Sequence, residues 1–199
     1  MTKRKRIICL GMAVAVAFSI STMAESTDEV VLSIGDPYEQ VRHESRSTLP
    51  PAEAGANWYG VVTRPARLLF TDPQYGFTTP SAKFFAVGYS SEGNVKSITL
   101  SPQVETLTLD EAMVVVLDLQ DQFARAGWRP IHVTDHPPLS DTPAMRVKVR
   151  NNEAPQSFWL AGEKYQAYLD VRRFRHDAHP NDERYLITLQ VSGPPLMEQ

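Results

Sequence analysis

Apolar and polar positions alternate most regularly between Leu107 and Pro130, where Ala112, Val115, Val116, Leu119, Phe123 and Ala126 recur at helical spacing. Met113, Val114 and Leu117 widen that stripe, while Asp118, Asp121 and Arg125 fall on the opposite side. Thr108 and Glu111 stand at the spacing of a capping box, and Asp110 adds negative charge at the positive end of the helix. Gly127 suits the left-handed position after the last turn, Trp128 follows where it can fold back onto Phe123, and Pro130 blocks continuation. The pattern predicts a helix over about 109–126 with one broad buried face, and places Leu119, Phe123 and Trp128 in the core.

Elsewhere the period is mostly two. Val30 to Ile34 is a short apolar piece. Asp36, Pro37 and Glu39 then read as the N-cap and the first and third residues of a short helix reaching about Ser47, whose only apolar residues of weight are Tyr38 and Val41. Tyr59 to Thr63 and Arg67 to Phe70, either side of Pro65, suit an edge strand or two short ones. Asp72 to Pro80 reads as a turn. Phe85, Val87 and Tyr89, then Ile98 and Leu100 after the reversal at Ser90–Asn94, predict a hairpin. After a Pro- and Asp-rich connection, Met145, Val147 and Val149 alternate with Arg146, Lys148 and Arg150, which predicts a half-buried strand with a basic outer face. A strand at Phe158 to Leu160 and two more at Tyr165 to Phe174 and Tyr185 to Val191 complete the pattern. The expected fold is α+β: antiparallel sheet packed by one long and one short helix, in a single domain over 25–192. The order αβββ occurs twice, a tandem pseudo-repeat with halves 36–102 and 108–192, and 193–199 reads as a C-terminal tail.

The first residues change the picture of where this domain works. Lys3, Arg4, Lys5 and Arg6 precede an apolar run from Ile7 to Ile20, and small residues follow with Ala24 at a cleavage position. The run is shorter than the ~20 residues of a membrane span, so 1–24 reads as a signal peptide. Cys9 lies before the apolar run and lacks the small preceding residue of a lipobox. Cleavage removes four of the 20 basic residues and none of the 23 acidic ones, moving the formal charge from −3 to −7. The expected product is a periplasmic protein with no footprint for nucleic acid, no stable membrane insertion and, with its only cysteine gone, no disulfide.

Candidate chemistry is sparse. Gly88 to Gly93 approaches the G-x-S-x-G elbow of serine hydrolases, but position 92, where the elbow needs Gly, is Glu, and the serine falls between two strands rather than at a strand-to-helix turn. His132 with His136, and His176 with His179, form two pairs near aspartates, yet neither has a zinc-site spacing with enough ligands. No catalytic residue, cofactor site or metal site is assigned. The feature that departs from an ordinary surface is the expected outer face of the second sheet: Arg146, Lys148 and Arg150 side by side, joined by Tyr168 and Arg172 if the strand at 165–174 belongs to the same sheet. Arg and Tyr dominate protein interfaces, so these five residues are the expected partner-binding set.

Ile34-Gly35-Asp36-Pro37-Tyr38-Glu39-Gln40-Val41 resembles the helix opening of small exported α+β proteins of the SmpA/OmlA, or BamE-like, group. The doubled helix-then-sheet order is similar to the tandem architecture of the β-lactamase inhibitor protein. The chain departs from the outer-membrane assembly factors in lacking their lipobox cysteine. The resemblance implies a non-enzymatic module that presents a sheet surface to another protein. The expected function is that of a periplasmic inhibitor or immunity protein against an envelope-directed toxin, with a BamE-like assembly or scaffold role as the alternative and a hydrolase behind both.

Overall fold

The structure is a computed structural model that describes residues 27–194 apart from 54, 132–135, 177 and 178; the expected signal peptide, His132 and most of the tail lie outside them. The fold is α+β, with three helices and ten strands among the described residues. Seven strands form one antiparallel sheet. In spatial order they are β2 (Trp58–Val61), β5 (Phe84–Tyr89), β6 (Val95–Ser101), β10 (His179–Ser192), β9 (Tyr165–His176), β8 (Gln156–Ala161) and β7 (Arg129–Pro130). A smaller sheet holds β1 (Asp28–Leu32), β3 (Ala66–Phe70) and β4 (Phe77–Thr78).

Helix α2 (Leu109–Arg125) carries both halves of the capping box, with the Thr108 hydroxyl accepting from Glu111 N–H and the Glu111 carboxylate accepting from Thr108 N–H at 2.8 Å. Gly127 takes φ +87°, and Trp128 N–H donates to the Phe123 carbonyl at 2.9 Å, the hydrogen bond that turns the chain back at the helix end. The buried stripe is narrower than its sequence suggests, because Val114 is exposed. Phe123 stands edge-on to Phe77 at 4.9 Å and meets Trp128 at 5.2 Å and Trp159 at 5.7 Å. Phe70 stacks on Phe77 at 5.2 Å and meets the edge of Tyr165 at 5.3 Å. These rings join the small sheet, α2 and the inner face of the large sheet into one core, at aromatic separations that contribute beyond area burial.

Several expectations need correction. Residues 143–150 are a helix, α3 (Pro143–Arg150), rather than a strand. Thr142 caps it by accepting from Met145 N–H, Pro143 occupies its first turn, and Met145 and Val149, four residues apart, are the buried pair while Val147 between them is 52% exposed. Alternation and i, i+4 spacing coincide over so short a stretch. The short helix α1 (Tyr38–Glu44) forms with Tyr38 and Val41 buried, but Asp36 does not cap it, because its carboxylate accepts from Ser33 N–H at 2.6 Å. The two strands flanking Pro65 enter different sheets, and the stretch read as a turn at 72–80 contains β4. β1 runs parallel to β3, which departs from an all-antiparallel pattern. Finally, a strand precedes α1 and a helix separates β7 from β8, neither of which belongs to a doubled αβββ order.

Candidate functional site

The two faces of the large sheet differ in cover. Odd-numbered residues of β9 and β10 (Tyr165, Ala167, Leu169, Val171; Tyr185, Ile187, Leu189, Val191) are buried on the inner face. Here α2 lies against β10, and the small sheet meets the same side through the aromatic cluster. Even-numbered residues point the other way. Strand register places them in rows across the sheet: Val61, Ala86, Thr99, Gln190, Tyr168 and Phe158 form one, and Tyr59, Gly88, Ser97, Ser192, Gln166 and Leu160 the next. None of the three described helices lies on this second face, which we call the open face. Its middle is hydroxylated and its β2 margin apolar, with Tyr59 67%, Phe84 50% and Val61 42% exposed. Gly88 makes room for the Tyr59 ring: a Cβ there would stand 2.7 Å from that ring and 2.5 Å from the Ser97 hydroxyl.

Of the five residues expected to bind a partner, two reach this face and three do not. Tyr168 and Arg172, both on β9, converge on Asp170, whose side chain is only 2% exposed although it belongs to the open-face set. The Tyr168 hydroxyl donates to Asp170 Oδ2 at 2.6 Å and Arg172 Nη2 donates to the same oxygen at 2.9 Å. Arg172 Nη2 also donates to Thr188 Oγ1 at 3.2 Å. Burial and the bond to Asp170 push the Tyr168 hydroxyl well above its ordinary value, so it remains a donor at any physiological pH. Phe158 leans on the Tyr168 ring at 5.4 Å, and His136, the one described member of its histidine pair, meets Phe158 at 5.6 Å.

Arg146, Lys148 and Arg150 ride on α3 instead. Arg146 is clamped by Asp141 and by Asp110 at 2.5 Å. Arg150 pairs with Glu183 at 3.1 Å, and Glu183 accepts from the hydroxyl of Tyr185, a residue of the inner face. Lys148 is exposed. The three therefore lie across the sheet from Tyr168 and Arg172. Two of them are already neutralised by carboxylates, so the local sign reversal expected of a basic strand is not formed.

At one end of the open face a hollow of about 470 Å³ is lined by Phe84, Val104 and Leu186 with Ser101, Thr188 and Arg172. Gln103 braces one side of it. Its amide donates to the carbonyls of Glu105 at 2.9 Å and Tyr185 at 3.0 Å and accepts from Ile187 N–H at 2.8 Å, tying the β6 to α2 connection onto β10. The hollow thus has apolar walls, a few fixed hydroxyls and the Arg172 guanidinium, with Lys83 at its lip facing Glu105 at 3.9 Å. That lining suits an apolar group carrying a polar end; Arg172, like Arg146 and Arg150, is already paired with a carboxylate, here Asp170.

The other candidates resolve differently. The Ser90 hydroxyl accepts from Asn94 N–H at 3.3 Å inside the β5–β6 turn, and Gly93 N–H donates to the Ser90 carbonyl. Among the described residues no three His, Cys, Asp or Glu side chains gather as a metal site; the side chains of His176 and His179 lie outside that description. No described helix is long and apolar enough to cross a membrane. Sequence reasoning missed Tyr59, Val61, Phe84 and Val104 as members of the exposed set. The alternation of β2 and β5 carries that signal for the first three, whereas Val104 lies in the connection to α2, which no strand period reaches. No family model matches this chain, and neither a curated protein nor a solved structure is significantly similar to it.

Proposed function

We propose that the protein is an exported, non-enzymatic protein-binding module, of the inhibitor or immunity type, that engages its target through the open face of the seven-stranded sheet. The observation that carries this reading is the combination, on a face that none of the three described helices covers, of exposed Phe84 and Val104 with the Arg172-containing hollow that they line. Apolar and aromatic anchors beside a guanidinium whose position is fixed by hydrogen bonds are the chemistry of interface centres. Tyr168 and Arg172 keep the partner-binding role expected of them. Arg146, Lys148 and Arg150 take no part in it, since they belong to α3 across the sheet. The signal peptide at 1–24 and a periplasmic address belong to the same proposal. An envelope scaffold of BamE-like type is the second reading, and the resemblance at Ile34 to Val41 supports it.

The test is growth protection. The protein is coexpressed with the product of the adjacent reading frame directed to the periplasm. Wild type restores growth, the double variant Val104→Asp with Leu186→Asp loses protection while keeping its melting temperature, and Lys148→Glu protects like wild type. Protection that survives the hollow variant would dismiss the open face as the binding surface. Co-sedimentation with outer membranes, with no effect on growth, would favour the scaffold reading.

A further inference from the structure

Two sheets have four edges, and three of them are closed. The outer edge of β1 is taken by the segment after α1: Glu29 N–H donates to the Arg46 carbonyl at 2.8 Å, Arg46 N–H returns to Glu29 at 3.0 Å, and Val31 N–H donates to Ser45 Oγ. The outer edge of β4 is taken by the Gln122 side chain of α2, which accepts from Thr78 N–H at 2.9 Å and donates to the Thr78 carbonyl at 3.1 Å. The outer edge of β7 is blunted by Pro130. The Ile131 N–H bond to Phe158 sets the phase of that ladder, leaving Pro130 as the outward-facing residue, and it has no N–H to offer.

The fourth edge, β2, is open. Val62 N–H donates to the Phe85 carbonyl, so in the β2–β5 register the even residues Trp58 and Gly60 face β5 and the odd residues Tyr59 and Val61 turn their N–H and C=O outward. Among the described residues nothing bonds to those four groups. Beyond Val61 the Thr48 hydroxyl closes the chain by accepting from the Thr63 and Arg64 N–H groups at 2.8 and 3.1 Å, but over Trp58–Val61 the edge lacks the usual deterrents. Between Glu53 and Arg64 the sequence contains no charged residue and no proline, and the side chains beside the edge on the open face are the exposed Tyr59 and Val61.

We infer that β2 is a self-association edge, occupied by β2 of a second copy in antiparallel pairing about a two-fold axis at Gly60. The geometry is self-complementary. With Gly60 opposite Gly60, each Tyr59 faces the other copy's Val61. Both residues are outward-pointing, so each pair exchanges two backbone hydrogen bonds and four form in all. The glycines meet at the close, non-bonded position, where the absence of side chains lets the strands approach. On the open face each Tyr59, whose ring lies over Gly88, stands opposite a β-branched Val61 of the other copy. Charge favours the same occupant: two chains of net negative charge repel over most of their surfaces, and this uncharged stretch is one along which they meet without opposing like charges. The pairing joins two seven-stranded sheets into one continuous sheet with a shared open face.

The pairing stands apart from target binding at the hollow, and one substitution separates the two. Val61→Pro removes an outward N–H that no intrachain bond uses, so it blocks pairing without breaking the β2–β5 ladder. By sedimentation equilibrium on the protein as the cell produces it, the wild-type mass should rise from one chain toward two across roughly 10 to 500 µM, the range expected of a small interface. Val61→Pro should stay at one chain over that range with an unchanged circular dichroism spectrum. Tyr59→Lys, which puts like charges either side of the two-fold axis, should do the same, and Lys148→Glu should associate like wild type. Three results would overturn the inference: a wild type that remains monomeric throughout, a dimer that persists in both β2 variants, or an edge that captures a foreign extended peptide without self-association. A dimer whose Val61→Pro variant still protects cells would leave the open-face reading untouched, and loss of protection in Val104→Asp, Leu186→Asp with the dimer intact would separate them from the other side.

Discussion

The inner and open faces of the large sheet are made by alternate residues of the same strands, yet they solve opposite problems. On the inner face Phe85, Val87, Tyr89, Ile98, Leu100, Leu169 and Ile187 demand cover and receive it from α2 and the small sheet. On the open face Ser97, Thr99, Ser101 and Thr188 keep the sheet preference of hydroxylated or β-branched side chains while asking for none. Large apolar groups there lie at the two margins, Tyr59 and Val61 on β2 and Phe158 and Leu160 on β8, and in the hollow. A sheet can thus be stabilised from one side and keep the other for binding. Asp170 is the exception, since it sits in the open-face alternation but is as hidden as a core residue.

The comparison breaks most visibly at Phe123. Phe123→Ala removes the ring that touches Phe77, Trp128 and Trp159 and should cost about 3 to 5 kcal/mol in urea denaturation. A melting temperature equal to wild type would refute the inner-face core. Next comes Asp170→Ala, which strips the Tyr168 hydroxyl and Arg172 of their shared acceptor and should cost about 1 to 3 kcal/mol, far more than an ordinary open-face change. If the loss is under half of that, Asp170 is no exception after all.

Alkaline pH probes the inner face through two tyrosines. Burial first, then the bond to Asp72, pushes the Tyr165 hydroxyl up to about 12, and burial with the bond to Glu183 pushes Tyr185 up to about 12. Their folded values exceed the unfolded value near 10, so the stabilisation they bring is fully present below that value and is lost as pH rises toward 12. Unfolding followed between pH 9 and 12 should show this fall, reduced in Tyr165→Phe and Tyr185→Phe; an identical fall in both variants would assign it to other groups. The smallest effect is expected at the centre of the open face. Thr99→Val should change stability by less than about 0.5 kcal/mol, and a larger loss would mean that something covers this face.

What was legible in the sequence follows from how local each signal is. The α2 helix announces itself through Thr108, Glu111 and Gly127, all satisfied within a few residues of the helix ends. The β5–β6 hairpin does so through its period and its turn, and the pairing of Tyr168 with Arg172 on one face follows from alternation alone. The helix at 143–150 was misread because Met145, Val147 and Val149 satisfy a strand period, while Met145 and Val149 also satisfy a helical one. Thr142 and Pro143 were the start signal that should have decided it. That error carried Arg146, Lys148 and Arg150 into the wrong surface. Their partners Asp110, Asp141 and Glu183 depend on where α3 docks, which no local pattern encodes. The parallel pairing of β1 with β3 was hidden for the same reason.

One arrangement bears on the time course of folding. Strand β6 is bracketed by β5, its immediate predecessor, and β10, the last described strand, with Ser97 opposite Ser192. The β5–β6 hairpin can form early, but Ile98 and Leu100 wait beside a vacant neighbour until residues 189–192 have emerged. Closing so distant a contact is slow, and the half-made sheet exposes a sticky strand throughout the delay. Synthesis that stalls before residue 179 would therefore leave an aggregation-prone fragment, and the final hairpin acts as the latch that ends the exposure.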